Sequence, residues 1–147
     1  MPKRAMGQAG NPYPRLVVGT DFSGLDGILM ILDKHGIKYL HAFSSEIDTK
    51  ARQFHVHHHK PLVMYGDVTE RVTKDMPPID LHALGPPCVA HSKAGLRQRS
   101  DDVRGCLWTC GLQYILEHKP GMVILENVIE FMNDPSSWNP LIDNLEE

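Results

Sequence analysis

The chain has 147 residues, a length that suits one domain with a single hydrophobic core. Apolar residues make up 41% and charged residues 22%, as in ordinary globular proteins, and no apolar run approaches the length of a membrane span. The formal net charge of −3 does not by itself favour nucleic-acid binding, because self-sufficient nucleic-acid-binding domains are usually basic. The three cysteines are irregularly spaced, which argues against a disulfide framework and for a reducing compartment.

The first 15 residues are basic, rich in Gly and Pro, and lack the apolar stretch of a secretory signal. We therefore expect a flexible leader over 1–15, one folded domain over 16–147, and a protein that is not secreted.

Short apolar runs then alternate with helical patterns. Strands are predicted at Leu16–Gly19, Lys38–Phe43, Leu62–Tyr65, Ile79–Leu84 and Met122–Leu125. Helices are predicted from Ile28 to a stop at Gly36, over Thr49–His58, and through Leu107–Ile115 after a long loop that starts at Gly85. This alternation predicts an α/β fold with an open, mostly parallel sheet and helices on both faces. The fully apolar last strand is expected to be covered on both faces.

Ligands of such sheets bind beyond the carboxyl ends of the strands. The first strand runs into a turn with Gly24 and Gly27, which permits close backbone approach to a ligand but is not the GxGxxG fingerprint. Glu46, at the end of the second strand, is suited to accept hydrogen bonds from ribose hydroxyls, and Asp67 from an adenine amine. From these residues alone, a nucleoside cofactor and an ordinary glycine turn remain equal alternatives.

Cys88 follows Gly85-Pro86-Pro87 at another strand end, where a thiolate is presented to a ligand. The alternative is a buried cysteine that acts as a small apolar residue. Glu126, at the end of the last strand, is suited to act as an acid or a hydrogen-bond partner.

Two polar clusters have less specific interpretations. The histidines at 55 and 57–59 are expected to form an exposed helix end rather than a metal site, and we predict no bound metal. The basic residues around the long loop are expected, from charge alone, to be solvated; they are Lys93, Arg97, Arg99 and Arg104.

Together these segments resemble the DNA cytosine-C5 methyltransferase family. Asp21-Phe22-Ser23-Gly24-Leu25-Asp26-Gly27 resembles the family's Phe-x-Gly-x-Gly-Gly, and Gly85-Pro86-Pro87-Cys88-Val89-Ala90-His91-Ser92 resembles its nucleophile motif, Gly-x-Pro-Cys-Gln-x-Phe-Ser. Glu46-Ile47-Asp48, Gly66-Asp67-Val68, Asp102-Val103-Arg104-Gly105 and Glu126-Asn127-Val128 resemble four further motifs. The six motifs keep the family's order and cover residues from about 16 to 147.

The resemblance implies a Rossmann-like fold that binds S-adenosylmethionine and methylates a cytosine flipped out of duplex DNA. It implies that Cys88 adds to C6 of the ring while Glu126 holds N3 and the exocyclic amine. The implied cofactor site comprises Asp21, Phe22, Ser23, Gly24, Gly27, Glu46, Ile47, Asp67, Val68 and Pro87. The implied substrate site includes Ser92, Lys93, Gly95, Arg97, Arg104 and Asn127, largely on a loop that closes over the base.

The chain departs from the family pattern at several positions. Asp26 stands where Gly is usual, Val89 where Gln is usual, and His91 where Phe is usual. The family's Gln-x-Arg-x-Arg motif, target-recognition region and last two motifs have no counterpart within the 147 residues. We therefore expect a fragment or truncated product, with the sheet interrupted before its last strands and no measurable methyl transfer by this chain alone.

Two alternatives remain open. Enzymes with the same motifs methylate cytosine in transfer RNA, so RNA is a second substrate class. A catalytically silent module that regulates an active methyltransferase is the other alternative. We expect no membrane partner, and a nuclear location in a eukaryote or a cytoplasmic one in a bacterium or virus; the sequence does not give the oligomeric state.

Overall fold

The computed structural model describes residues 15–87, 103–127 and 129, with the backbone alone for residues 103–106 and 108. Its five strands are β1 (Leu16–Asp21), β2 (Tyr39–Ser45), β3 (Val63–Tyr65), β4 (Leu81–Leu84) and β5 (Met122–Leu125). All neighbouring strands are parallel, in the order β3-β2-β1-β4-β5, which confirms the predicted sheet. The order reverses direction between β1 and β4, and such a switch point is where ligands of doubly wound folds bind.

The described helices lie on both faces of this sheet. They are α1 (Gly27–Lys34), α2 (Thr49–His58) and α3 (Val103–His118), with short 3-10 turns at Val68–Glu70 and Thr73–Asp75. On one face, Leu29 and Leu32 of α1 pack against Val18 and Leu81. On the other face, Tyr114 of α3 packs with an apolar cluster that consists of Ala42, Phe43, Met76 and Ile79. None of the helices in the described ranges is long and apolar enough to cross a membrane.

Most predicted elements are confirmed, with shifts at their ends. The helix Thr49–His58 and the strand Met122–Leu125 have the predicted bounds. The first two strands each extend two residues further, to Asp21 and Ser45. The expected cover over both faces of β5 is wrong for the described residues, since Met122 is 59% exposed and Ile124 37%. β5 is the outermost strand of the described sheet, so it has a neighbouring strand on one side only.

The hydrogen-bond register aligns the last residues of all five strands. Asp21 pairs with Ser45 on one side and Leu84 on the other. Ser45 pairs in turn with Tyr65, and Leu84 with Leu125. The residues that follow the strands therefore start along one edge of the sheet; they are Phe22, Glu46, Gly66, Gly85 and Glu126.

Candidate active site

A cavity of about 170 Å³ opens at this edge of the sheet. Its walls come from the ends of β1 to β4 and from α3, and comprise Phe22, Ser45, Glu46, Ile47, Gly66, Asp67, Val68, Gly85, Pro87 and Leu107. Six of these belong to the predicted cofactor set, namely Phe22, Glu46, Ile47, Asp67, Val68 and Pro87. A second hollow, of about 370 Å³, lies near the start of β2 and is lined by none of the predicted site residues. The strand-end cavity is therefore the candidate site.

Residues 22–27, which we call the cofactor loop, join β1 to α1 through a sharply bent backbone. Phe22, Gly24 and Asp26 have φ angles of 54°, 52° and 59°, in the left-handed region. Ser23 fastens the loop to β2, because its N–H and its hydroxyl both donate to the Ser45 carbonyl, at 3.2 and 3.0 Å. A Cβ built on Gly24 or Gly27 would meet no atom within 4 Å, so open space lies beside both residues. The loop therefore leaves its backbone accessible to a ligand.

Glu46 is held in place by this loop and by its own strand end. Its Oε2 accepts a hydrogen bond from the Gly24 N–H at 2.7 Å, and its Oε1 accepts one from the Asp48 N–H at 2.8 Å. A carboxylate has about four acceptor positions, so two remain for a ligand. Glu46 is thus an oriented acceptor for hydroxyl groups inside the cavity.

Asp67 provides a second oriented carboxylate. Its Oδ1 accepts from the backbone N–H and the hydroxyl of Thr69, both at 2.8 Å. Both hydrogen bonds lower the pKa of Asp67, and the one from the Thr69 backbone has the larger effect. Within the described residues Oδ2 accepts no hydrogen bond, so it can accept one from an amino group. Ile47, at 69% exposure, adds an apolar surface to the same cavity.

The ends of β4 and β5 meet beside the cavity. The Glu126 N–H donates to the Leu84 carbonyl at 3.0 Å, and the Asn127 side-chain amide donates to the Pro86 carbonyl at 3.4 Å. A Cβ built on Gly85 would lie 3.1 Å from Glu126 Oε2. The Glu126 carboxylate therefore lies against Gly85, three positions before Cys88 in the sequence.

Several predicted site residues lie outside the described part of the chain. They are Cys88, Ser92, Lys93, Gly95 and Arg97, while Arg104 is described only by its backbone at the start of α3. No group of three or more His, Cys, Asp or Glu side chains in the described ranges is arranged to hold a metal ion.

Comparison with known proteins places the chain in a family. The sequence profile of the C-5 cytosine-specific DNA methylases matches residues 21–147. The chain belongs to this DNA methylase family. It is 35% identical over 107 residues to the type II methyltransferase M.NlaX of Neisseria lactamica, and 36% identical over 109 residues to M.HpaII of Haemophilus parainfluenzae. Each match covers 73% of this chain, but only 34% and 30% of the two relatives.

A solved structure supports the same fold. The S. pombe Dnmt2 methyltransferase matches with a TM-score of 0.62 at 22% identity, over 88% of this chain and 42% of that chain. The methylase chain thus spans about a third of the length of the curated relatives named above and under half of this structure.

In this methylase chain, the predicted cofactor residue Asp21 does not line the cavity. It is 1% exposed and accepts hydrogen bonds on both carboxylate oxygens from Arg71, and on Oδ2 from His82 Nε2 at 3.0 Å. Burial by itself would raise the pKa of Asp21, but the hydrogen bonds from Arg71 and His82 outweigh it and hold that pKa well below its usual range. Arg71 also donates to Ser45 Oγ at 2.6 Å. This ionic group joins β1, β2 and β4 beneath the site.

The methylase also contains a second buried polar group that sequence reasoning missed. Asp26 is 4% exposed, accepts from Thr20 Oγ1 at 2.7 Å and lies 3.6 Å from His55 Nδ1. The expectation of an exposed histidine end is wrong for His55, which is fully buried because it faces the sheet and bonds to the Gly24 carbonyl at 3.0 Å. The available sequence signal was the spacing of His55 and His59, four residues apart and hence on one helix face.

Proposed function

We propose that this chain binds S-adenosylmethionine in the strand-end cavity and forms part of an enzyme that methylates C5 of cytosine in DNA. The observation that carries the proposal is the joint lining of one cavity by Phe22, Glu46, Asp67 and Pro87, with the Glu126 carboxylate beside its Gly85 wall. The ends of all five described strands contribute to this arrangement. The family is one of cytosine-specific DNA methylases, which supports DNA as the substrate class.

The chemistry of the cavity fits a nucleoside cofactor. Glu46 has acceptor positions for ribose hydroxyls, and Asp67 Oδ2 for the adenine amine, while Ile47 and Val68 supply apolar surface for the ring. The open space at Gly24 and Gly27 suits the methionine part. The cofactor, when bound, supplies an electrophilic methyl group on a sulfonium.

The reaction then depends on two side chains of this chain. The Cys88 thiolate forms a bond to C6 of cytosine, and the electron pair of the C5–C6 double bond moves to C5. Glu126 stabilises that charge through hydrogen bonds at N3 and the exocyclic amine. C5 takes the methyl group, a base removes the C5 proton, and the returning electron pair expels the Cys88 thiolate and restores the aromatic ring.

The substrate side of the proposal rests on residues mostly outside the described ranges. Ser92, Lys93, Gly95 and Arg97 are proposed to close over a flipped cytosine, with Arg104 and Asn127 as further contacts. Since flipping takes the ring out of the base stack, contacts of this kind would keep water away from the adduct. Because it would act on DNA, the proposed location is the nucleus if the protein is eukaryotic and the cytoplasm of the cell if it is bacterial or viral.

The cofactor step is tested on the 147-residue chain by calorimetric titration with S-adenosylmethionine. We expect Glu46→Gln to weaken binding by about 10-fold or more, because it weakens charge-assisted hydrogen bonds. The matched control, Glu70→Gln, alters an exposed carboxylate on the nearby 3-10 turn and is expected to leave binding unchanged. Absence of any binding by the unaltered chain contradicts the cofactor proposal.

The methyl-acceptor step is tested with the protein expressed from its complete gene, using duplex DNA or transfer RNA that carries 5-fluorocytosine. A covalent adduct on DNA that disappears in Cys88→Ser, but persists in Cys110→Ser, supports the proposal. An adduct on transfer RNA alone identifies the substrate as RNA. Cofactor binding without an adduct on either nucleic acid identifies a catalytically silent module.

A further inference from the structure

The cofactor loop is held in place by hydrogen bonds to a group of buried polar side chains, and the proposed reaction does not use this group. Asp26 takes the N-cap position of α1, yet its side chain makes no cap hydrogen bond to the helix. Instead the carboxyl group turns under the loop, where Thr20 Oγ1 donates to Oδ2 at 2.7 Å. Thr20 also lies 3.1 Å from Ser44 Oγ, which in turn lies 2.7 Å from Ser23 Oγ. These contacts therefore connect β1 and β2 to Ser23, near the start of the loop, and to Asp26, near its end.

His55 of α2 completes this group, and its bonding fixes its tautomer. A carbonyl oxygen can only accept, so Nε2–H donates to the Gly24 carbonyl, at 3.0 Å. Burial lowers the pKa of His55, even though the hydrogen bond to Gly24 opposes the shift, so the ring is neutral at pH 7. Its Nδ1 then carries a lone pair, which faces Ser44 Oγ at 3.3 Å and Asp26 Oδ2 at 3.6 Å.

An ionised Asp26 is poorly accommodated beside that lone pair. A charged carboxylate oxygen would face the Nδ1 lone pair at 3.6 Å in a site that water hardly reaches, whereas a protonated carboxyl removes that repulsion. Burial raises the pKa of Asp26 to about 7, against the smaller opposing effect of the Thr20 hydrogen bond. The neutral acid and the neutral imidazole are therefore the forms that fit the observed geometry.

We propose that Asp26, Thr20 and His55 form a clasp that positions the cofactor loop through a proton held on Asp26, so that the chain binds its nucleoside cofactor more tightly below neutral pH than above it. The identity of the cofactor rests on the proposed function. All three are positioning residues, since none of them lines the cavity.

The connection between the clasp and the cavity runs through the loop backbone. His55 holds the carbonyl of Gly24, and the N–H of the same residue donates to Glu46 Oε2 at 2.7 Å. The Asp26 N–H closes the turn onto the Ser23 carbonyl at 2.6 Å. When Asp26 ionises, its buried charge favours an outward movement toward water, which strains this turn. Glu46 then loses a partner that orients it toward the ribose.

Other ionisable groups lie close to the clasp and interact with it electrostatically. On β2 these are Tyr39, whose pKa is raised mainly by burial and to a smaller extent by Asp33 and Asp26, and His41, which lies 3.4 Å from Thr20 Oγ1; Glu46 follows the end of β2. From α2, His59 has its ring centre 5.3 Å from that of His55 and its Nε2 3.3 Å from the Leu25 carbonyl. Burial lowers the pKa of His41 to about 4, so it is neutral across the range considered. Asp26, whose pKa is raised to about 7, is therefore the buried group of this set that is expected to change charge near neutral pH.

The test uses the 147-residue chain and two measurements between pH 5.5 and 8.5. The first is calorimetric affinity for S-adenosylmethionine in the unaltered chain, in Asp26→Asn, and in the control Asp75→Asn, which alters an exposed carboxylate. The second is the amide NMR shift of Gly24 and Gly27 without ligand. Asn keeps the size of the neutral acid and is well tolerated at positive φ.

The expected result is an affinity that falls with rising pH above neutrality, by at most about 10-fold per pH unit for a single linked proton. Asp26→Asn is expected to remove that fall, while Asp75→Asn retains it; the ligand's own titration is common to all three. In the ligand-free chain the two glycine amides are expected to titrate with a midpoint near 7, and to stop doing so in Asp26→Asn.

The two measurements separate the two proposals. If the cofactor binds with the same pH profile in Asp26→Asn as in the unaltered chain, the clasp is overturned and the proposed function stands. If no cofactor binds at any pH, the proposed function fails, and the glycine amides still decide the clasp. Amides that do not titrate near neutrality in the unaltered chain overturn the clasp whatever the ligand does.

Discussion

Two buried aspartates, five residues apart in the sequence, have opposite ionisation behaviour. Asp21 is 1% exposed and Asp26 is 4% exposed, so the loss of water is similar for both. Nevertheless the pKa of Asp21 lies well below its usual range, whereas that of Asp26 is raised to about 7. The difference lies in their partners: Asp21 faces the guanidinium of Arg71, while Asp26 faces a hydroxyl and a neutral imidazole.

The sheet itself separates the two environments. Thr20 and Asp21 are consecutive in β1, so their side chains point to opposite faces. Asp21 lies on the face of Phe43 and Tyr114, where Arg71 and His82 reach it, and Thr20 lies on the face of α1 and α2. A buried carboxylate remains charged where a cation compensates it, and becomes a proton carrier where none does. The first arrangement serves as a fixed support, and the second responds to pH.

The largest effect is expected from Arg71→Met, which removes the compensating cation. Asp21 would remain buried with one donor, and breaking a buried pair in this way costs about 3–5 kcal/mol. Urea unfolding at pH 7 measures the loss, with Lys74→Met, an exposed cation nearby, as the control. Because the folded pKa of Asp21 is depressed, its contribution exists above the unfolded value of 3.8 and disappears as pH falls below it. If Arg71→Met lost no more stability than Lys74→Met, Arg71 would not be the partner that keeps the buried Asp21 charged.

The opposite sign is expected for Asp26→Asn. Because the folded pKa of Asp26 is raised from 3.8 to about 7, its stabilisation is complete below 3.8 and is lost as pH rises through 7. The variant is therefore expected to gain stability relative to the unaltered chain as pH rises, by about 3 kcal/mol between pH 5 and pH 8. Unfolding midpoints of both chains at pH 5 and pH 8 give this difference. A constant difference between the two pH values would contradict the raised pKa.

A smaller effect is expected from His82→Phe, which removes the second donor to Asp21 and keeps a ring in the aromatic cluster with Phe43 and Tyr114. Arg71 continues to compensate the charge, and the substitution also removes a buried Nδ1 that has no partner within the described residues. The expected cost is about 1 kcal/mol at pH 7. A cost as large as that of Arg71→Met would mean that His82 contributes as much as Arg71 to the charged state of Asp21.

The sequence predicts the sheet well, because each strand is a short apolar run bounded by Gly, Pro or a polar cluster, and these signals are local. The parallel direction of the strands also follows from the alternation with helices, whereas their order in the sheet was not predicted. The exposure of β5 was not predictable from its own residues, since MVIL reads alike in a central or an outer strand. That distinction depends on which elements lie beside it.

Of the cavity residues, Glu46 and Asp67 were predicted from their positions at strand ends, which align because the strands are parallel. Phe22, Ile47, Val68 and Pro87 were implied by the family resemblance. The polar groups beneath the site were predicted in neither way. Arg71 reaches Asp21 across 50 residues of sequence, and His82 across 61, so no local pattern connects them. Asp26 was noted only as an unusual charge in the glycine turn, because its partner His55 comes from a different helix.

The smallest expected effect also tests the Asp26 environment most directly. Thr20→Val removes the hydrogen bond from Thr20 Oγ1 that stabilises the charged carboxylate, and it keeps the branched shape of the side chain. Since the Thr20 bond lowers the pKa of Asp26, its removal is expected to raise that pKa further, with a stability change below about 1 kcal/mol. Carboxyl ¹³C shifts followed from pH 5 to 9 measure it, and Thr69→Val, which removes the hydroxyl donor to the half-buried Asp67, is the control. A downward shift would mean that His55 rather than Thr20 governs the proton, and that the clasp acts as an ion pair.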